Sequence, residues 1–481
     1  MSQKKEDQEI YDVCVIGGGS AGLSVAAGAA QLGLKTALIE KDKMGGDCLN
    51  TGCVPSKALL QAAKIAQNFR KAHDFGMKDV EPEIDFNAVK DHVFSVIAAI
   101  EPNDSQERFE KLGVTIIRDK AVFTGADTVT AGGKTILAKH FVIATGSRAA
   151  VPPIPGLERD KILTNENIFE LRQKPDHLVI IGGGPIGIEM AQAHHRLGSK
   201  VTVLDIATIL PKDDPELVAI LKNRLKGEGI EILEKAKIEK VEHSTGKTAV
   251  FVEHDGKKLE ISGSHLLVAA GRQPNTAGLD LEKAGVEFDK RGIKTDARLR
   301  STNKNIYAAG DVAGGPQFTH IAGYHAGIII RNIAFKLPAK VDYAALPWVT
   351  YTDPELANVG MTEVMAIEKF GKGKVKTVSW HFAENDRAQA EKRTEGMIRV
   401  IALKNGKILG ATILGPGAGD MLGMWGLAIQ KKMKLSDIAG TIAPYPTLGE
   451  ISKRVAGSWY TPKLFSARTK SLVKFLKKWP F

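Results

Sequence analysis

Short apolar runs alternate with small-residue and glycine-rich segments near the start of the chain. An apolar strand at 11–16 leads into Gly-Gly-Gly-Ser-Ala-Gly at 17–22, a small-residue helix at 23–32 and a second apolar strand at 35–39 that ends at Glu40. A strand, a helix and a further strand in this order predict a parallel β-α-β unit. The chain is therefore predicted to begin with an α/β domain.

The same order of elements recurs 165 positions later. A strand at 177–181 precedes Gly-Gly-Gly-Pro-Ile-Gly at 182–187, and a helix at 188–197 and a strand at 200–204 follow, ending at Asp205. The first glycine, the last glycine and the terminal acid all keep the same offset from their counterparts, and chance does not hold three features in register. The pattern indicates two nucleotide-binding domains.

Each special position in this unit has a physical role in binding a dinucleotide. The first glycine allows a tight turn, the second lets the backbone approach the pyrophosphate, and the third lets the helix pack on the strand. The helix N-terminus faces the phosphate charge, and the acid accepts hydrogen bonds from ribose hydroxyls. The residues in these roles are, in order, Gly17, Gly19, Gly22 and Glu40 in the first copy and Gly182, Gly184, Gly187 and Asp205 in the second.

Cys48 and Cys53 are separated by four residues in Gly-Gly-Asp-Cys-Leu-Asn-Thr-Gly-Cys-Val-Pro-Ser-Lys. Five residues of regular helix rise ~7.5 Å, more than the usual Cα separation across a disulfide, about 4.4–6.8 Å. The pair can bridge only across a distorted turn, which Gly52 permits because glycine tolerates positive φ. Pro55 fits a first helical position, and a thiol near a helix N-terminus has a lowered pKa.

This pattern favours a redox-active thiol pair. A stabilising disulfide or two reduced thiols is the plainer alternative, and a zinc site would need two further ligands that no second cysteine or histidine pair supplies. A redox pair close behind the first glycine loop must lie beside an electron carrier. The first site is therefore predicted to hold a flavin and the second a nicotinamide nucleotide.

Composition sets the remaining bounds. A length of 481 residues allows three or four domains, and no apolar run reaches the ~18 residues of a membrane span. The polar segment 1–9 has no apolar core of a signal peptide, so a cytoplasmic location is expected. The third cysteine, Cys14, is predicted to be a buried small hydrophobe, and His194 and His195 are predicted to lie on a helix surface.

Four further segments complete a family pattern. They are Phe-Val-Ile-Ala-Thr-Gly-Ser at 141–147, Ala-Ala-Gly-Arg-Gln-Pro-Asn at 269–275, Ile-Tyr-Ala-Ala-Gly-Asp at 306–311 and Tyr-Thr-Asp-Pro-Glu-Leu-Ala-Asn-Val-Gly-Met-Thr-Glu at 351–363. With the glycine loops and the cysteine pair, they make the chain resemble class I pyridine nucleotide–disulfide oxidoreductases, the family of dihydrolipoamide dehydrogenase, glutathione reductase and mercuric reductase.

The resemblance implies an α/β fold with two Rossmann-like domains that bind FAD and NAD(P), plus a C-terminal α+β dimerisation domain, and hence a homodimer. Two strands of the last domain, at 397–403 and 408–414, are predicted to form a hairpin through an Asn-Gly turn. The predicted divisions are 10–151 for the first part of the FAD domain, 152–275 for the NAD(P) domain, 276–343 for the second FAD part, 346–460 for the dimerisation domain and 461–481 for a basic tail.

The resemblance also implies roles for individual residues. Cys53 is the thiol next to the flavin, Cys48 is the interchange thiol that attacks the substrate, and Lys57 lies near flavin N5 and pairs with Glu189. The implied FAD residues are Gly17, Gly19, Gly22, Glu40, Gly46, Lys57, Ala121, Thr145, Gly146 and Asp311. The implied NAD residues are Gly182, Gly184, Gly187, Glu189, Asp205 and Gly271.

Asp205 also bears on the choice of nicotinamide cofactor. An acid at this position suits the 2′-hydroxyl of NAD, whereas enzymes that use NADP offer arginine or lysine to the 2′-phosphate. No basic residue follows Asp205 before Lys212. NADH is therefore predicted as the preferred donor over NADPH.

The chain departs from the family near its end. Disulfide reductases carry His-Pro-Thr-x-x-Glu, whose histidine moves protons at the interchange thiol of the partner subunit, but here residues 443–450 read Ala-Pro-Tyr-Pro-Thr-Leu-Gly-Glu. Tyr445 titrates near ~10 instead of ~6.5 and is a poor base at neutral pH. Tyr445 and Glu450 are still expected to face Cys48 of the partner, but the tyrosine argues against efficient dihydrolipoamide oxidation. Mercuric reductases also have this tyrosine, with a vicinal cysteine pair near the chain end that this sequence lacks.

The tail at 461–481 carries six of the excess positive charges and no acid, in a chain of formal net charge +11. Apolar residues interleave with its lysines, which is typical of a short amphipathic helix on anionic lipid. A tail packed on its own dimer or a solvated end is the alternative. Charges elsewhere nearly balance, so nucleic acid is not an expected partner.

Three functions remain open from the sequence. The first is an FAD-dependent NAD(P)H:disulfide oxidoreductase acting on a small-molecule or protein-borne disulfide. The second is a flavin reductase that delivers electrons to a quinone, a metal ion or a membrane partner. The third is a flavin-binding redox sensor, which the intact flavin, nicotinamide and thiol motifs argue against.

Overall fold

The computed structural model describes residues 10–479. The segment 1–9, on which the signal-peptide prediction rests, and the last two residues of the tail lie outside the described residues. Among residues 10–479, no helix is long and apolar enough to cross a bilayer.

The strands, in chain order, are β1 Ile10–Ile16, β2 Thr36–Ile39, β3 Val114–Ile117, β4 Val122–Gly125, β5 Thr128–Ala131, β6 Lys134–Ile143, β7 Ser147–Ala149, β8 His177–Ile181, β9 Lys200–Leu204, β10 Glu231–Leu233, β11 Lys237–Ser244, β12 Lys247–His254, β13 Lys257–Gly263, β14 His265–Val268, β15 Arg272–Pro274, β16 Phe288–Asp289, β17 Gly292–Ile293, β18 Ile306–Ala308, β19 Pro347–Thr350, β20 Glu355–Gly360, β21 Val375–His381, β22 Met397–Leu403 and β23 Ile408–Gly415. The α-helices are α1 Ser20–Gln31, α2 Gly46–Asn50, α3 Cys53–Phe69, α4 Phe86–Ile100, α5 Gln106–Lys111, α6 Pro185–Arg196, α7 Pro215–Glu228, α8 Thr319–Ile333, α9 Glu363–Phe370, α10 Asp386–Ala390, α11 Ala418–Gln430, α12 Leu435–Ala439, α13 Glu450–Ser458, α14 Thr461–Leu464 and α15 Ala467–Leu476.

Three main sheets organise the chain. The first has the order β3-β2-β1-β6-β5-β4, with β18 added beside β6, and its pairs among β1, β2, β3, β6 and β18 are parallel. The second is the parallel sheet β10-β9-β8-β14, accompanied by the antiparallel meander β11-β12-β13. The third is the antiparallel sheet β19-β20-β23-β22-β21. The return of β18 to the first sheet means that the chain leaves that domain and comes back to it.

The strands of the parallel sheets are apolar along their length because both of their faces are buried. In β1, Val13 and Val15 join the core that holds α1 and α8, whereas Cys14 and Ile16 join a second core on the opposite face. Cys14 is fully buried, as predicted, and burial raises the pKa of its thiol. The continuous apolar run that predicted this strand is thus the consequence of burial on two sides.

Both helices after the glycine loops begin three residues earlier than predicted. Helix α1 starts at Ser20 and α6 at Pro185, because Gly19 and Gly184 have extended backbones that serve as the N-caps. The last residues of each loop therefore form the first helical turn. This shift leaves the N-terminal N–H groups directly behind the middle glycine, where a phosphate is expected.

His194 corrects the expectation of a helix-surface residue. Its side chain is fully buried, and its ring centroid lies 6.3 Å from that of Phe86 in α4. Nδ1 lies 3.0 Å from the Met190 carbonyl oxygen, and burial lowers the pKa of His194 to about 3. The residue is a neutral core histidine.

The predicted hairpin in the third sheet is present. Strands β22 and β23 pair antiparallel and are joined through Asn405 and Gly406, whose φ of 85° is one that glycine adopts without strain. Trp425 of α11 lies fully buried against this sheet.

Candidate active site

The two glycine loops open into one continuous cleft of about 3050 Å³. Of the residues implied for FAD and NAD binding, all except Gly22 and Gly187 line it, and so do Cys48 and Cys53. The two exceptions lie behind the loops, where the third glycine was expected to let the helix approach the strand. The fold therefore gathers implied cofactor residues from position 17 to position 311 around one space.

The loops have the close contacts that require glycine. A Cβ on Gly17 would lie 2.4 Å from the Ala144 carbonyl oxygen, and a Cβ on Gly182 would lie 2.4 Å from that of Ala269. A Cβ on Gly22 or Gly187 would lie only 1.8 or 1.9 Å from the carbonyl oxygen of the first glycine of its loop.

The middle glycines differ from the others. A Cβ at Gly19 would lie 3.8 Å from its nearest described neighbour, the Cα of Gly46, and one at Gly184 would meet no described atom within 4 Å. Both positions face open space at the start of a helix. The residues present therefore fit a pyrophosphate at each loop.

The two terminal acids repeat one hydrogen-bond pattern. Glu40 accepts from the N–H groups of Gly18 and Asp42. Asp205 accepts from the N–H groups of Gly183, at 2.6 Å, and Ala207, at 2.7 Å. Each carboxylate is thus fixed at its strand end and keeps lone pairs for ribose hydroxyls.

The cysteine pair lies across a break between two helices. Helix α2 ends at Asn50 and α3 begins at Cys53, so Thr51 and Gly52 are not helical, as the distorted turn required. The reason given for Gly52 was wrong, since its φ is −128°. Glycine is needed because a Cβ would lie 2.8 Å from the Asp47 carbonyl oxygen. Pro55 is the third residue of α3, still in the first turn, where a missing N–H breaks no helical bond.

The two thiols are free, and they are hydrogen-bonded to each other. The hydrogen bond from Cys48 lowers the pKa of Cys53 to about 6, and Thr319 and the positive charge of Lys57 act in the same direction. The same interaction and burial raise the pKa of Cys48. Cys53 is therefore the thiolate of the pair at neutral pH.

Lys57 and Glu189 form an ion pair of 2.9 Å, as the resemblance implied. Burial alone would lower the pKa of Lys57, but Glu189 raises it, so the amine stays charged. The Lys57 ammonium also lies 4.3 Å from the centre of the Tyr351 ring, and the Tyr351 N–H donates to Glu189 at 2.9 Å. One residue thus orients both partners of the pair.

Asp311 lies just after β18 and faces the cleft. Ser147 donates a hydrogen bond to its carboxylate, and the preceding Gly310 N–H donates to Nδ1 of His325 at 3.1 Å. Nε2 of His325 therefore carries the proton and donates to the Tyr343 hydroxyl at 2.6 Å. Burial lowers the pKa of His325 to about 4, so this neutral tautomer persists at physiological pH.

Tyr445 and Glu450 lie outside the cleft of their own chain. The Tyr445 side chain is 67% exposed, and its hydroxyl donates to Asp386 at 2.8 Å, which raises the pKa of the phenol. Glu450 instead accepts from Arg454 at 2.7 Å. The acid that the family uses to hold its histidine is thus paired elsewhere, and Asp386 takes its place at the tyrosine.

Comparison with known proteins places this site in a family. Residues 11–326 match the family described as pyridine nucleotide-disulphide oxidoreductase, and residues 346–456 match its dimerisation domain. The chain is 36% identical over 453 residues to a mercuric reductase of Lysinibacillus sphaericus, covering 94% of this chain and 83% of that one. It is 37% identical over 453 residues to a dihydrolipoyl dehydrogenase of Geobacillus stearothermophilus, covering 92% and 95%.

A solved structure is similar over nearly the whole chain. The Cu(II) complex of HOCl-induced flavoprotein disulfide reductase RclA from Escherichia coli matches with a TM-score of 0.84 and 28% identity, covering 94% of this chain and 100% of that one. The chain belongs to the pyridine nucleotide-disulphide oxidoreductase family. It is an FAD-dependent oxidoreductase that uses NAD(P)H and acts on sulfur groups, and it carries the family's dimerisation domain.

Several residues of the site were not anticipated from the sequence. Thr319, whose hydroxyl lies 3.4 Å from Cys53 Sγ, stands at the start of α8. Tyr351 is the first residue of a recognised motif, and Asp47 directly precedes Cys48. Their positions beside motif residues were a signal, whereas Asp386 has no counterpart in any recognised motif.

Proposed function

We propose that this chain works as a reductase, passing electrons from NADH through FAD and the Cys48–Cys53 pair to a disulfide substrate. FAD, when bound, supplies the step between the two-electron nicotinamide donor and the thiol pair. The direction of electron flow, from NADH to a disulfide, rests on the hydrogen bond from Tyr445 to Asp386, because this bond keeps the phenol protonated.

The direction follows from where protons must go. In reduction, the Cys48 sulfur attacks one substrate sulfur, the substrate S–S bond breaks, and a thiolate leaves and takes a proton. Cys53 then attacks the Cys48 sulfur of the mixed disulfide, which re-forms the internal disulfide and releases the second substrate thiolate. Both leaving groups need a proton donor, whereas oxidation of a dithiol needs a base. A phenol is protonated at neutral pH and is a poor base, so it has a proton to give and suits the first task.

The thiol pair supports the same direction. The proton that Cys48 gives up on attack ends on the first leaving thiolate, and the Cys53 thiolate attacks the mixed disulfide without giving up a proton. No external base is therefore consumed in reduction. Tyr445 of the partner would protonate the leaving thiolate, since in one chain Tyr445 lies outside the cleft.

Changing Tyr445 to phenylalanine is expected to slow disulfide turnover by roughly 10- to 100-fold, at or below the lower end of what a positioned acid contributes. Reduction of the flavin by NADH, followed by stopped-flow absorbance, is expected to keep its rate. Tyr445→His should raise dihydrolipoamide oxidation, because an imidazole can act as a base near neutral pH.

Tyr460→Phe provides the matched loss of a hydroxyl in the same domain and should leave turnover unchanged. Mixed dimers test the subunit arrangement. A Cys48→Ser subunit paired with a Tyr445→Phe subunit contains one complete site, so it should recover activity that neither homodimer has. A Tyr445→Phe enzyme that matches wild type on its best disulfide would remove the tyrosine from the mechanism.

A soft metal ion is the second candidate acceptor. The chain is similar to mercuric reductases, and the similar solved structure holds Cu(II). In this chain, Cys48 and Cys53 open into the cleft and could bind such an ion. Against this, Cys14 is the only other cysteine, and it is buried in β1. A disulfide is therefore the preferred acceptor.

The tail supports a separate proposal, peripheral contact with an anionic membrane. Within the described part of the tail, α15 has no buried residue, and its N-terminus is capped by Ser466. The apolar side chains share one face of the helix and its continuation, namely Leu472, Val473, Phe475, Leu476 and Trp479, all of them exposed. The opposite face carries Lys470, Lys474, Lys477 and Lys478.

This segregation of charge favours lipid over a second copy of the chain. An apolar face flanked by lysines, with no acid in 461–481, can insert among acyl chains while its ammonium groups contact anionic headgroups. Outside the tail the charges nearly balance, so a second copy of the chain offers the lysines of this helix no excess of acid.

Changing the four lysines of this face to glutamine is expected to weaken binding to vesicles of 30% phosphatidylglycerol in phosphatidylcholine at least roughly tenfold. Co-sedimentation measures it, with pure phosphatidylcholine vesicles as the lipid control. Lys431→Gln together with Lys432→Gln, outside the tail, is the matched charge control. Unchanged binding, or a change of oligomeric state on deleting 461–481 without any vesicle binding, would contradict the proposal.

A further inference from the structure

Asp47 makes several hydrogen bonds that fix the turn between Cys48 and Cys53. Its Oδ1 accepts from the Thr51 hydroxyl at 2.6 Å and from Nδ2 of Asn165 at 2.9 Å, and its carbonyl oxygen accepts from the Thr51 N–H at 2.9 Å. Asn165 also donates to the Thr51 carbonyl oxygen at 3.3 Å. Asp47 at the start of the segment is therefore tied to Thr51 near its end, directly and through Asn165.

The other carboxylate oxygen of Asp47 is held from a different domain. Oδ2 lies 2.8 Å from Nη2 of Arg272, the first residue of β15. Nε of Arg272 donates to the Ser147 hydroxyl at 2.7 Å, and Ser147 in turn donates to Asp311. Arg272 is largely buried, with a side-chain exposure of 14%. The ion pair thus links the cysteine turn to the end of the nicotinamide domain and to the acid implied for the flavin.

We propose that the Asp47–Arg272 ion pair is a positioning device that holds the Cys48–Cys53 turn closed and so stabilises the disulfide against reduction. This inference rests on the thiol pair cycling between dithiol and disulfide, as proposed above. The side-chain hydrogen bonds and ion pairs of Asp47 and Arg272 go to groups other than the sulfur atoms, so both residues act through the turn.

The ion pair affects the disulfide by limiting the conformations that the turn between Cys48 and Cys53 can adopt before the ring closes. Thr51 and Gly52 interrupt the helix between the two sulfurs, so the probability of closure depends on how firmly the turn is fixed. A largely buried guanidinium that makes further hydrogen bonds loses less to solvent screening than an exposed partner would. Breaking the pair frees Asp47 from Arg272 and widens the range of sulfur–sulfur separations, which disfavours the disulfide.

Two substitutions separate positioning from simple electrostatics. Asp47→Asn is isosteric and keeps Oδ1 for Thr51 and Asn165, but it removes the charge that faces Arg272. Arg272→Gln removes the other charge. Loosening the turn should weaken the disulfide in both variants, whereas the charge changes should move the pKa of Cys53 in opposite directions, down in Asp47→Asn and up in Arg272→Gln.

The experiment uses the FAD-loaded protein, with flavin content checked by absorbance. Equilibration in glutathione redox buffers, followed by maleimide labelling and mass spectrometry, gives the closure constant, the equilibrium constant for forming the Cys48–Cys53 disulfide. The pH dependence of alkylation by iodoacetamide gives the pKa of Cys53. We expect closure to weaken roughly three- to tenfold in both variants, and more in Asp47→Ala, which also loses the hydrogen bonds of Thr51 and Asn165.

Asp91→Asn is the matched control, because Asp91 forms an ion pair with Arg172 and neither residue lines the cleft. It should leave both quantities unchanged. Closure constants that shift in opposite directions, following the pKa, would reduce the pair to an electrostatic effect and overturn the inference, as would unchanged constants. A wild-type pair that forms no disulfide in any buffer would instead refute the proposed cycle itself.

Discussion

Replacing Cys53 by serine is expected to abolish the long-wavelength charge-transfer absorbance that two-electron reduction gives in the wild-type protein, whereas Cys48→Ser is expected to preserve it. The band requires a thiolate beside the flavin. Cys53 is expected to be that thiolate, because Cys48, Thr319 and Lys57 together lower its pKa to about 6. A serine at position 48 still has a hydroxyl that can donate to it.

The same assignment fixes the pH dependence of the band. A lowered thiol pKa means that the thiolate is present above it and is protonated below it, so the absorbance should grow as pH rises through about 6 and vanish in more acidic solution. Cys14→Ala, at the buried cysteine of β1, is the control and should leave the band unchanged. Loss of the band in Cys48→Ser and its survival in Cys53→Ser would reverse the two roles.

NADH is expected to reduce the flavin at least about tenfold more efficiently than NADPH, measured as kcat/KM or as the second-order rate in stopped flow. Asp205 is held at the end of β9 by two backbone N–H groups, so it cannot move away from a 2′-phosphate. The repulsion between the two negative groups disfavours NADPH, and the ribose hydroxyls of NADH instead meet an acceptor.

Asp205→Asn removes the charge with little change in shape, and it should narrow the preference chiefly by improving NADPH. Glu231→Gln, an acid at the start of the neighbouring strand β10, is the matched control and should retain the preference. Equal or faster reduction by NADPH in the wild-type protein would refute the predicted preference for NADH.

The features predicted from the sequence are those that local chemistry determines. The glycine loops, the terminal acids and the Asn-Gly hairpin each require particular residues within a few positions, and the internal repeat made the first two visible twice. The Lys57–Glu189 pair spans 132 residues, and it was found only through family resemblance.

The rest depended on packing between distant segments. Gly52 is glycine because of the carbonyl oxygen of Asp47, which no turn preference reveals. His194 is buried because distant segments, α4 with Phe86 among them, pack on a helix whose sequence resembles a half-exposed one. Arg272 meets Asp47 only because β15 pairs with β7 and brings the end of one domain to the turn of another.

The exit of electrons through the thiol pair to a disulfide can be tested directly under anaerobic conditions. The enzyme is reduced by NADH, then mixed in stopped flow with oxidised glutathione, cystine, lipoamide, a quinone or a soft metal ion, and flavin reoxidation is followed in wild type and in Cys48→Ser. We predict that a disulfide reoxidises the wild type and not the variant. Reoxidation by a quinone or a metal ion at the same rate in both proteins, with every disulfide inert, would contradict this central claim.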